Sequence, residues 1–291
     1  MMESTRTPPH HDSEGATTPL ILVTNDDGIH SPGLHALVDA ICDLGQVLVT
    51  APSRQHSNAG RSHPPSPMRD KGIRRETIPV SCPTAVVYAL DSSPAQSVVR
   101  ALMEVVPRPP DLVISGINYG ENMGANLTVS GTVGAALEAA CFGLPAMAVS
   151  LETPSEFHYN PSDSVDFRVA AAFSRKFAQM MLANQLPPDV DMLKVDVPSD
   201  ATLDTSWRVT RASRQSYYVP IPRPPTTEDG RLEMDYKIKI DMDTLEPDSD
   251  IHALAIDRVV SVCPLSIDMT SRIDAIALSD ILGERQPVAS D

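Results

Sequence analysis

The sequence predicts an α/β protein built on a doubly wound, mostly parallel, Rossmann-like sheet with a C-terminal β-ribbon extension. Short apolar runs such as residues 20–23 and 47–50 have the length and composition of strands buried on both faces. Stretches with a helical apolar period separate these runs, as expected where helices connect parallel strands. After Pro198 the chain alternates apolar with polar residues, a pattern typical of exposed ribbon strands.

These patterns divide the chain into three parts. Residues 1–19 are polar and predict a disordered tail, residues 20–200 predict the Rossmann-like core, and residues 201–291 carry the ribbon, a closing strand and a last helix. Core strands are predicted at residues 20–23, 47–50, 84–90, 111–115, 146–150 and 192–197, and core helices at 32–44, 94–106, 133–142 and 164–182. The C-terminal part is predicted to hold ribbon strands at 207–211 and 236–240 with a Pro-rich connector at 220–225 between them, then a strand at 259–262 and a helix at 273–281.

The composition indicates a globular protein and limits its partners. Of the 291 residues 42% are apolar, and 38 acidic against 23 basic residues give a net charge of −15. This charge argues against non-specific binding to nucleic acid or to an acidic membrane surface. No apolar run is long enough to span a bilayer.

The cysteines and the first residues predict a cytoplasmic location. Cys42, Cys82, Cys141 and Cys263 show no Cys-x-x-Cys spacing, and we expect all four to be reduced and structural. Residues 1–19 lack the apolar stretch of a signal peptide.

Two adjacent carboxylates, Asp26 and Asp27, directly follow the first predicted strand. Neighbouring anions repel each other, and holding them at the end of a buried strand costs free energy unless a cation or strong donors compensate. Ser31 and Pro32 then predict an N-cap and a first helical residue, so the pair lies in a strand-to-helix loop, where open α/β sheets bind ligands. An Asx-rich turn with a solvated carboxylate pair explains this stretch equally well.

Two further oxygen-bearing residues follow predicted parallel strands, Ser57 after the strand at residues 47–50 and Asn118 after the strand at residues 111–115. Because the carboxyl ends of parallel strands meet at one edge of the sheet, both residues should converge on Asp26 and Asp27. Two carboxylates, a hydroxyl and an amide oxygen suit Mg²⁺, Mn²⁺ or Ca²⁺ better than Zn²⁺. The sequence therefore predicts a site for a hard divalent cation.

A helix opens near the same edge with Ser130, Gly131 and Thr132. Free backbone N–H groups and the helix dipole make such a helix start a natural seat for phosphate. Ordinary N-capping explains Ser130 and Thr132 as well, and on this stretch alone it is the preferred interpretation.

Four motifs in the same order resemble the signature of the SurE family of survival-protein nucleotidases. They are residues 24–33, residues 51–57, residues 115–118, and residues 130–132 with the following helix; weaker similarity extends the resemblance over residues 20–270. The chain departs from the family pattern at residues 57–68, 92–96 and 123–126, which leaves the predicted metal ligands intact and bears on substrate preference.

The resemblance implies a function, a ligand set and an assembly. It implies a metal-dependent phosphomonoesterase, a 5′-nucleotidase acting on nucleoside 5′- and 3′-monophosphates and often on short polyphosphate. It also implies a homodimer or homotetramer formed by exchange of the C-terminal ribbon, which matches the tendency of a two-stranded ribbon to need a partner surface. One divalent cation per subunit, Mg²⁺ or Mn²⁺ with Ca²⁺ as an alternative, would be held by Asp26, Asp27, Ser57 and Asn118, and the phosphate by Asn122, Ser130, Gly131 and Thr132.

For this reaction Asp27, beside Asp26, is the first candidate for general base or nucleophile. His30 is a second candidate, as an acid, although a loop residue bonded to backbone is the preferred interpretation. His56 is expected to be a solvated loop residue, and His158 a loop residue outside the reaction.

Two other functions are compatible with parts of the pattern. A non-catalytic nucleotide- or metal-sensing module on the same fold would keep the ligands and show no turnover. A phosphatase of the haloacid-dehalogenase type uses Asp-x-Asp, and the adjacency of Asp26 and Asp27 counts against it.

Overall fold

The first apolar run of the sequence forms strand β1 (Leu20–Thr24), near the middle of a nine-stranded sheet. The structure is a computed structural model that describes residues 18–65, 72–158, 162, 164–223 and 233–283. The remaining strands are β2 (Gln46–Pro52), β3 (Arg74–Arg75), β4 (Val86–Leu90), β5 (Leu112–Tyr119), β6 (Ala146–Leu151), β7 (Met192–Val197), β8 (Trp207–Val209), β9 (Tyr218–Arg223), β10 (Glu233–Ile238) and β11 (Val260–Leu265). The helices are α1 (Pro32–Ile41), α2 (Pro94–Arg100), α3 (Gly131–Cys141), α4 (Arg168–Ala183) and α5 (Ala275–Leu282).

The main sheet runs in the order β3-β4-β2-β1-β5-β6-β7-β11-β8. The six strands from β4 to β7 in this order are mutually parallel, whereas β3 and β11 pair antiparallel with their neighbours at the two ends of that block. The predicted fold class is confirmed. The carboxyl ends of β1, β2 and β5 lie at one edge, which is the arrangement that brings their loops together.

Helices cover both faces of the sheet. On one face α1 and α4 bury Leu34, Leu37 and Phe173 against the central strands. On the other face α2 and α3 pack through small residues and valines, including Val98 and Val133. Because both faces are covered, the five residues of β1 are all buried, which explains why the run is continuously apolar up to Thr24.

The predicted pairing of the C-terminal ribbon is wrong. Strand β8, predicted as a ribbon strand, joins the main sheet beside β11, and the ribbon is formed by β9 and β10. The prolines at 220 and 222 therefore lie within a strand rather than in a connector. Each strand of a two-stranded ribbon has a free edge, and proline is tolerated where its missing N–H would point outward. Residues 224–232 lie outside the described residues.

The prediction of four reduced cysteines is also wrong. Cys42, just after α1, and Cys82, in the loop before β4, form a disulfide with their Cα atoms 5.5 Å apart. Forty positions separate the two residues, and the fold rather than a local spacing brings them together. Cys141 and Cys263 are free thiols.

Two predictions concern the ends of the chain and membranes. The predicted disordered tail falls almost entirely on residues 1–17, which lie outside the described residues. Among the helices that the structure describes, none combines the length and the apolar character needed to cross a bilayer.

Candidate active site

The loop after β1 holds Asp26 and Asp27 in a nearly closed environment, with 4% and 7% of their surfaces exposed. Burial raises the pKa of Asp26 to about 6. Burial, and then the charge of Asp26, raises the pKa of Asp27 well above its ordinary value. Within the described part of the chain, no lysine or arginine forms an ion pair with either carboxylate. The pair is therefore a buried pair of acidic groups to which the described residues supply no countercharge.

Neutral donors from three other segments contact the pair. The Thr132 hydroxyl donates to Asp26 Oδ1 at 2.5 Å, and this bond lowers the pKa of Asp26 without offsetting burial. Gln55 Nε2 donates to Asp27 Oδ1 at 3.1 Å, and the Tyr119 backbone N–H donates to Asp27 Oδ2 at 3.2 Å. The loop after β2, the carboxyl end of β5 and the start of α3 thus meet the loop after β1, as the parallel topology predicts.

The start of α3 lies directly against Asp26. A Cβ atom at Gly131 would be 2.7 Å from the Asp26 Cβ and 2.8 Å from Oδ2, so a side chain at this position would displace the carboxylate. Glycine here lets the helix N-terminus, with its free N–H groups, approach the acidic pair. An anion bound at this terminus would therefore lie next to Asp26.

Asn118, near the carboxyl end of β5, and Ser57, in the loop after β2, lie beside the pair. Asn118 Nδ2 donates to the carbonyl oxygens of Tyr119 and Gly120 at 3.2 and 2.6 Å, which leaves its Oδ1 available as a ligand. The backbone N–H of His56 donates to the Asp26 carbonyl at 2.7 Å, and Ser57 is the next residue along. Asn118 and Ser57 thus each adjoin a residue that contacts the pair.

Asn122 and Ser130 have other partners. Asn122 Nδ2 donates to Ser150 Oγ at 2.8 Å, at the end of β6. Ser130 Oγ accepts from the Val133 N–H at 3.1 Å, which is the ordinary N-capping role that the sequence also allows. Both residues flank the site, and their side chains are engaged in holding its loops.

The three histidines differ in their surroundings. His30 is exposed. His56 is only partly exposed, burial lowers its pKa, and its Nε2 has no hydrogen-bond partner among the described residues, so it is not the solvated residue expected. His158 is mostly buried: its carbonyl accepts from Gln55 Nε2 at 2.6 Å, and its Nδ1 lies 2.5 Å from the Tyr236 hydroxyl.

A second buried charge cluster, which the sequence motifs did not reveal, holds the loop after β5. Lys194 is fully buried with its Nζ against the carboxylates of Asp196 and Asp250. Burial alone would lower the pKa of Lys194, but the charges of the two aspartates outweigh it and raise the pKa. Asp196 also accepts from the Asn122 N–H at 2.8 Å and Asp250 from the Gly124 N–H at 3.0 Å. A signal was present, because Lys194 and Asp196 stand two apart in a buried strand and must share a face.

The acidic pair fits a hard divalent cation. Among the described residues, no group of three or more His, Cys, Asp or Glu side chains is arranged to hold a metal ion, so any cation at the pair would need ligands of other kinds as well. Asn118 and Ser57 supply an amide and a hydroxyl oxygen beside the two carboxylates, which is the donor chemistry of Mg²⁺, Mn²⁺ or Ca²⁺ sites. The two buried acidic groups without a described countercharge are the physical reason to expect such an ion.

Comparison with known proteins identifies a common ancestry. The family model described as survival protein SurE matches residues 21–219. Two relatives named 5′-nucleotidase SurE are 41% identical over 279 residues (Thermococcus gammatolerans; 90% of this chain, 95% of the relative) and 42% identical over 262 residues (Thermococcus kodakarensis; 87% and 95%). The crystal structure of the SurE protein from Aquifex aeolicus superposes with a TM-score of 0.70 at 27% identity, covering 91% of this chain and all of that one. The chain belongs to the SurE family.

Proposed function

We propose that this protein is a 5′-nucleotidase, a divalent-metal-dependent phosphomonoesterase that hydrolyses nucleoside 5′-monophosphates to nucleoside and phosphate. The observation that carries the proposal is the buried Asp26–Asp27 pair, uncompensated by any described cation and placed against the start of α3. The relatives named 5′-nucleotidase SurE support the reaction. We extend the proposal to 3′-monophosphates and short polyphosphate, which the family resemblance supports.

The site residues have complementary tasks in this reaction. Asp26 and Asp27, with Asn118 and Ser57, would hold one cation per subunit, Mg²⁺ or Mn²⁺ with Ca²⁺ as an alternative. When bound, the cation supplies polarisation of the phosphoryl oxygens and lowers the pKa of an adjacent water molecule.

The phosphate itself would be bound by the start of α3. The N–H groups of Gly131 and Thr132 lie at the helix terminus, where they can stabilise the negative charge that grows on the phosphoryl oxygens. Ser130 caps that terminus, and Asn122 would contribute to phosphate binding from the loop after β5. Asp27 is the candidate base or nucleophile, because burial and the charge of Asp26 raise its pKa above the ordinary value and so make its ionised form a stronger base.

Phosphate release from a panel of nucleoside 5′- and 3′-monophosphates, with Mg²⁺, Mn²⁺, Ca²⁺ or a chelator, tests the proposal. We expect turnover that requires a divalent ion and that disappears in Asp26→Asn. Asp204→Asn, an exposed carboxylate in the turn after β7, is the matched control and should keep wild-type turnover. Binding of nucleotide without turnover under every condition would instead indicate the sensing module.

We also propose that the chain assembles as a homodimer or homotetramer through the β9–β10 ribbon. A two-stranded ribbon is marginally stable alone, and Ile238 at its end is 53% exposed. Replacing residues 219–237 by a short Gly-Ser linker should reduce the mass measured by light scattering to that of a monomer. An unchanged mass would refute the assignment.

The cytoplasm remains the location we propose, and the disulfide provides its sharpest check. Cytosolic disulfides are rare in most organisms, so the Cys42–Cys82 bridge is unusual for a protein of that compartment. Thiol labelling of protein quenched directly from cells would show whether the bridge forms there. A fully oxidised pair in mesophilic cells would favour an oxidising compartment.

A further inference from the structure

The loop that carries Ser57 (residues 56–64, the Ser57 loop) is held against α3 by a buried carboxylate, that of Glu138. We propose that Glu138 is a positioning residue: through Arg61 it holds the Ser57 loop between the acidic pair and the start of α3, and so sets how tightly the cation is bound. The inference rests on the proposed function and deepens it, because Ser57 is a proposed ligand of that cation. Glu138 would itself touch neither the cation nor the phosphate, since it stands seven residues after Gly131 on the helix, about 10 Å along the axis.

The first part of the Ser57 loop connects the acidic pair with the start of α3. The backbone N–H of His56 donates to the Asp26 carbonyl at 2.7 Å. The backbone N–H of Gly60 donates at 2.9 Å to the carbonyl of Val129, which directly precedes the N-cap of α3. Ser57 lies between these two attachments. The seating of the loop on the helix therefore determines where Ser57 stands relative to both parts of the site.

Two glycines bring the Ser57 loop and the helix into backbone contact. A Cβ atom at Gly134, near the start of α3, would overlap the carbonyl oxygen of Gly60 and lie 2.7 Å from the backbone nitrogen of Arg61. Gly60 has a positive φ of 53°, and a Cβ atom there would lie 3.2 Å from the Thr128 carbonyl oxygen. Glycine permits this close approach but supplies no attraction, so side-chain contacts are needed to hold the loop on the helix.

Glu138 supplies such an attraction. Its side chain is 7% exposed, and its Oε2 lies 2.5 Å from Arg61 Nε and 3.2 Å from His63 Nε2. Both partners belong to the Ser57 loop, and within the described part of the chain no ion pair joins Glu138 to another segment. The Arg61 side chain is 48% exposed, which weakens the attraction, but a charge-assisted hydrogen bond to a buried carboxylate remains among the stronger contacts that a loop can make.

The far end of the Ser57 loop is attached to α2 by neutral contacts. Ser93 Oγ donates to the Ser62 carbonyl and Gln96 Nε2 to the Pro64 carbonyl, both at 2.6 Å. Ser93 and Gln96 also form the capping box of α2, so replacing either would disturb that helix as well. The contact of Arg61 with Glu138 can be removed without touching this cap, which makes it the better contact to test.

Loss of the contact between Arg61 and Glu138 should loosen the Ser57 loop without unfolding it. The backbone bonds of His56 and Gly60 remain, so the loop should still occupy its seated position for part of the time. Binding of the cation would then also have to order the loop, and the affinity falls with the fraction of molecules in which the loop is seated. The expected sign is therefore weaker metal binding in a protein that is still folded.

Calorimetric titration with Mn²⁺ in the absence of substrate tests the inference. Glu138→Gln and Arg61→Gln should each weaken Mn²⁺ binding by about tenfold, the lower end of the loss that follows when groups supporting metal ligands are replaced. Arg61→Lys keeps the positive charge and should retain most of the affinity. Glu104→Gln makes the same chemical change in a carboxylate paired with Arg100 just after α2, and this matched control should bind Mn²⁺ as the wild type does.

Combined substitutions show whether the effect passes through Ser57. Ser57→Ala removes the proposed ligand, and adding Glu138→Gln to it should weaken Mn²⁺ binding by less than about twofold more, because the loop then has no ligand to position. Arg61→Gln together with Glu138→Gln should bind Mn²⁺ no more weakly than the weaker of the two single variants, since both break the same contact. Additive losses in either combination would overturn the inference.

The remaining outcomes separate this assignment from the proposed function. Melting in chelator establishes that each variant is folded at the temperature of the titration, and Arg61→Gln, at a half-exposed position, carries the test if Glu138→Gln is not. Wild-type Mn²⁺ affinity in the folded variants would overturn the inference, and a raised KM for the nucleotide alone in Arg61→Gln would assign that residue to the substrate instead. If the wild type binds no divalent ion, the proposed function fails together with this assignment. A wild type that binds Mn²⁺ beside unchanged variants contradicts this assignment alone.

Discussion

Two buried charge clusters lie near each other in this molecule and follow opposite rules. In the cluster of Lys194, Asp196 and Asp250, a cationic side chain lies between two carboxylates, which also accept from backbone N–H groups. The Asp26–Asp27 pair accepts hydrogen bonds from neutral donors, and no lysine or arginine among the described residues pairs with it. The carboxylates of the first cluster have a cationic partner within the protein, whereas the described residues supply none to the second. Buried carboxylates that no described lysine or arginine contacts therefore locate the site better than buried charge alone.

The largest expected effect comes from replacing an aspartate by asparagine, which should have different consequences in the two clusters. Asp26→Asn or Asp27→Asn should reduce phosphatase activity by several orders of magnitude, because the cation loses a ligand. The same variants should leave the stability of the metal-free protein equal or higher, since one of two repelling anions is removed. Asp250→Asn should instead lower stability, because both oxygens of the Asp250 carboxylate accept backbone hydrogen bonds and one of them also contacts Lys194 Nζ. Melting with chelator and with Mn²⁺ measures these effects.

Mass action gives this prediction a further check. Mn²⁺ should raise the melting temperature of the wild type and of Asp250→Asn, and raise that of the two pair variants much less. A wild-type melt unaffected by every divalent ion, together with active Asp26→Asn and Asp27→Asn variants, would end the metal-site interpretation.

Among the effects on stability, we expect the largest when the positive charge of Lys194 is removed from its cluster with Asp196 and Asp250. Lys194→Met leaves Asp196 and Asp250 buried without their countercharge and should cost about 3–5 kcal/mol of unfolding free energy. Chemical denaturation at pH 7 measures the loss. The matched control is Lys176→Met, an exposed lysine over Phe173 and Trp207, which should change stability by about 1 kcal/mol or less. Equal stability of the two variants would show that the contacts of Lys194 with Asp196 and Asp250 do not stabilise the fold.

The same contrast explains which parts of the molecule the sequence could predict. The apolar runs at β1, β2 and β5 announce buried parallel strands, and parallel strands oblige their following loops to meet. Asp26, Asp27 and the loops of Ser57 and Asn118 could therefore be grouped from the sequence alone. The position of Thr132 near Asp26 follows from the same topology, but its hydrogen bond to the carboxylate depends on a rotamer and on the small size of Gly131.

Features made by contacts between distant segments could not be predicted in the same way. Asp250 reaches Lys194 only because the segment before β11 folds back over the loop after β5. The Cys42–Cys82 bridge likewise joins elements whose adjacency is a product of the fold. Strand β9 contains two prolines, so local preference argues against a strand, and pairing with β10 overrides it.

The stability of the metal-free protein should depend on pH through the Asp26–Asp27 pair. Burial raises the pKa of Asp26 from 3.8 to about 6, so its proton is bound more tightly in the folded state. The associated stabilisation is complete below pH 3.8 and is lost as the pH rises through about 6. From this group alone, the unfolding free energy in chelator should fall by about 1–2 kcal/mol between about pH 5 and pH 8.

Comparison with a variant isolates that contribution. Asp26→Asn in chelator should show a flatter profile than the wild type over the same range, and saturating Mn²⁺ should flatten the wild-type profile by favouring the ionised pair. The contrary result would be a wild type that, in chelator, gains as much stability between the acidic and the alkaline end of this range as Asp26→Asn does. That result would contradict the assignment of raised pKa values to the pair.

The smallest expected effect concerns the neutral donor that compensates Asp26 in part. Thr132→Ala removes the hydroxyl that donates to Asp26 Oδ1, and the loss of one buried hydrogen bond should cost about 1 kcal/mol of stability. Because that bond lowers the pKa of Asp26, its loss raises the pKa further and should weaken Mn²⁺ binding near neutral pH. Thr132→Ser keeps the hydroxyl and should restore binding. Turnover should fall by more than the stability loss explains, since the residue also borders the phosphate seat. Wild-type Mn²⁺ affinity and kinetics in a folded Thr132→Ala protein would mean that the neutral donors serve the fold alone.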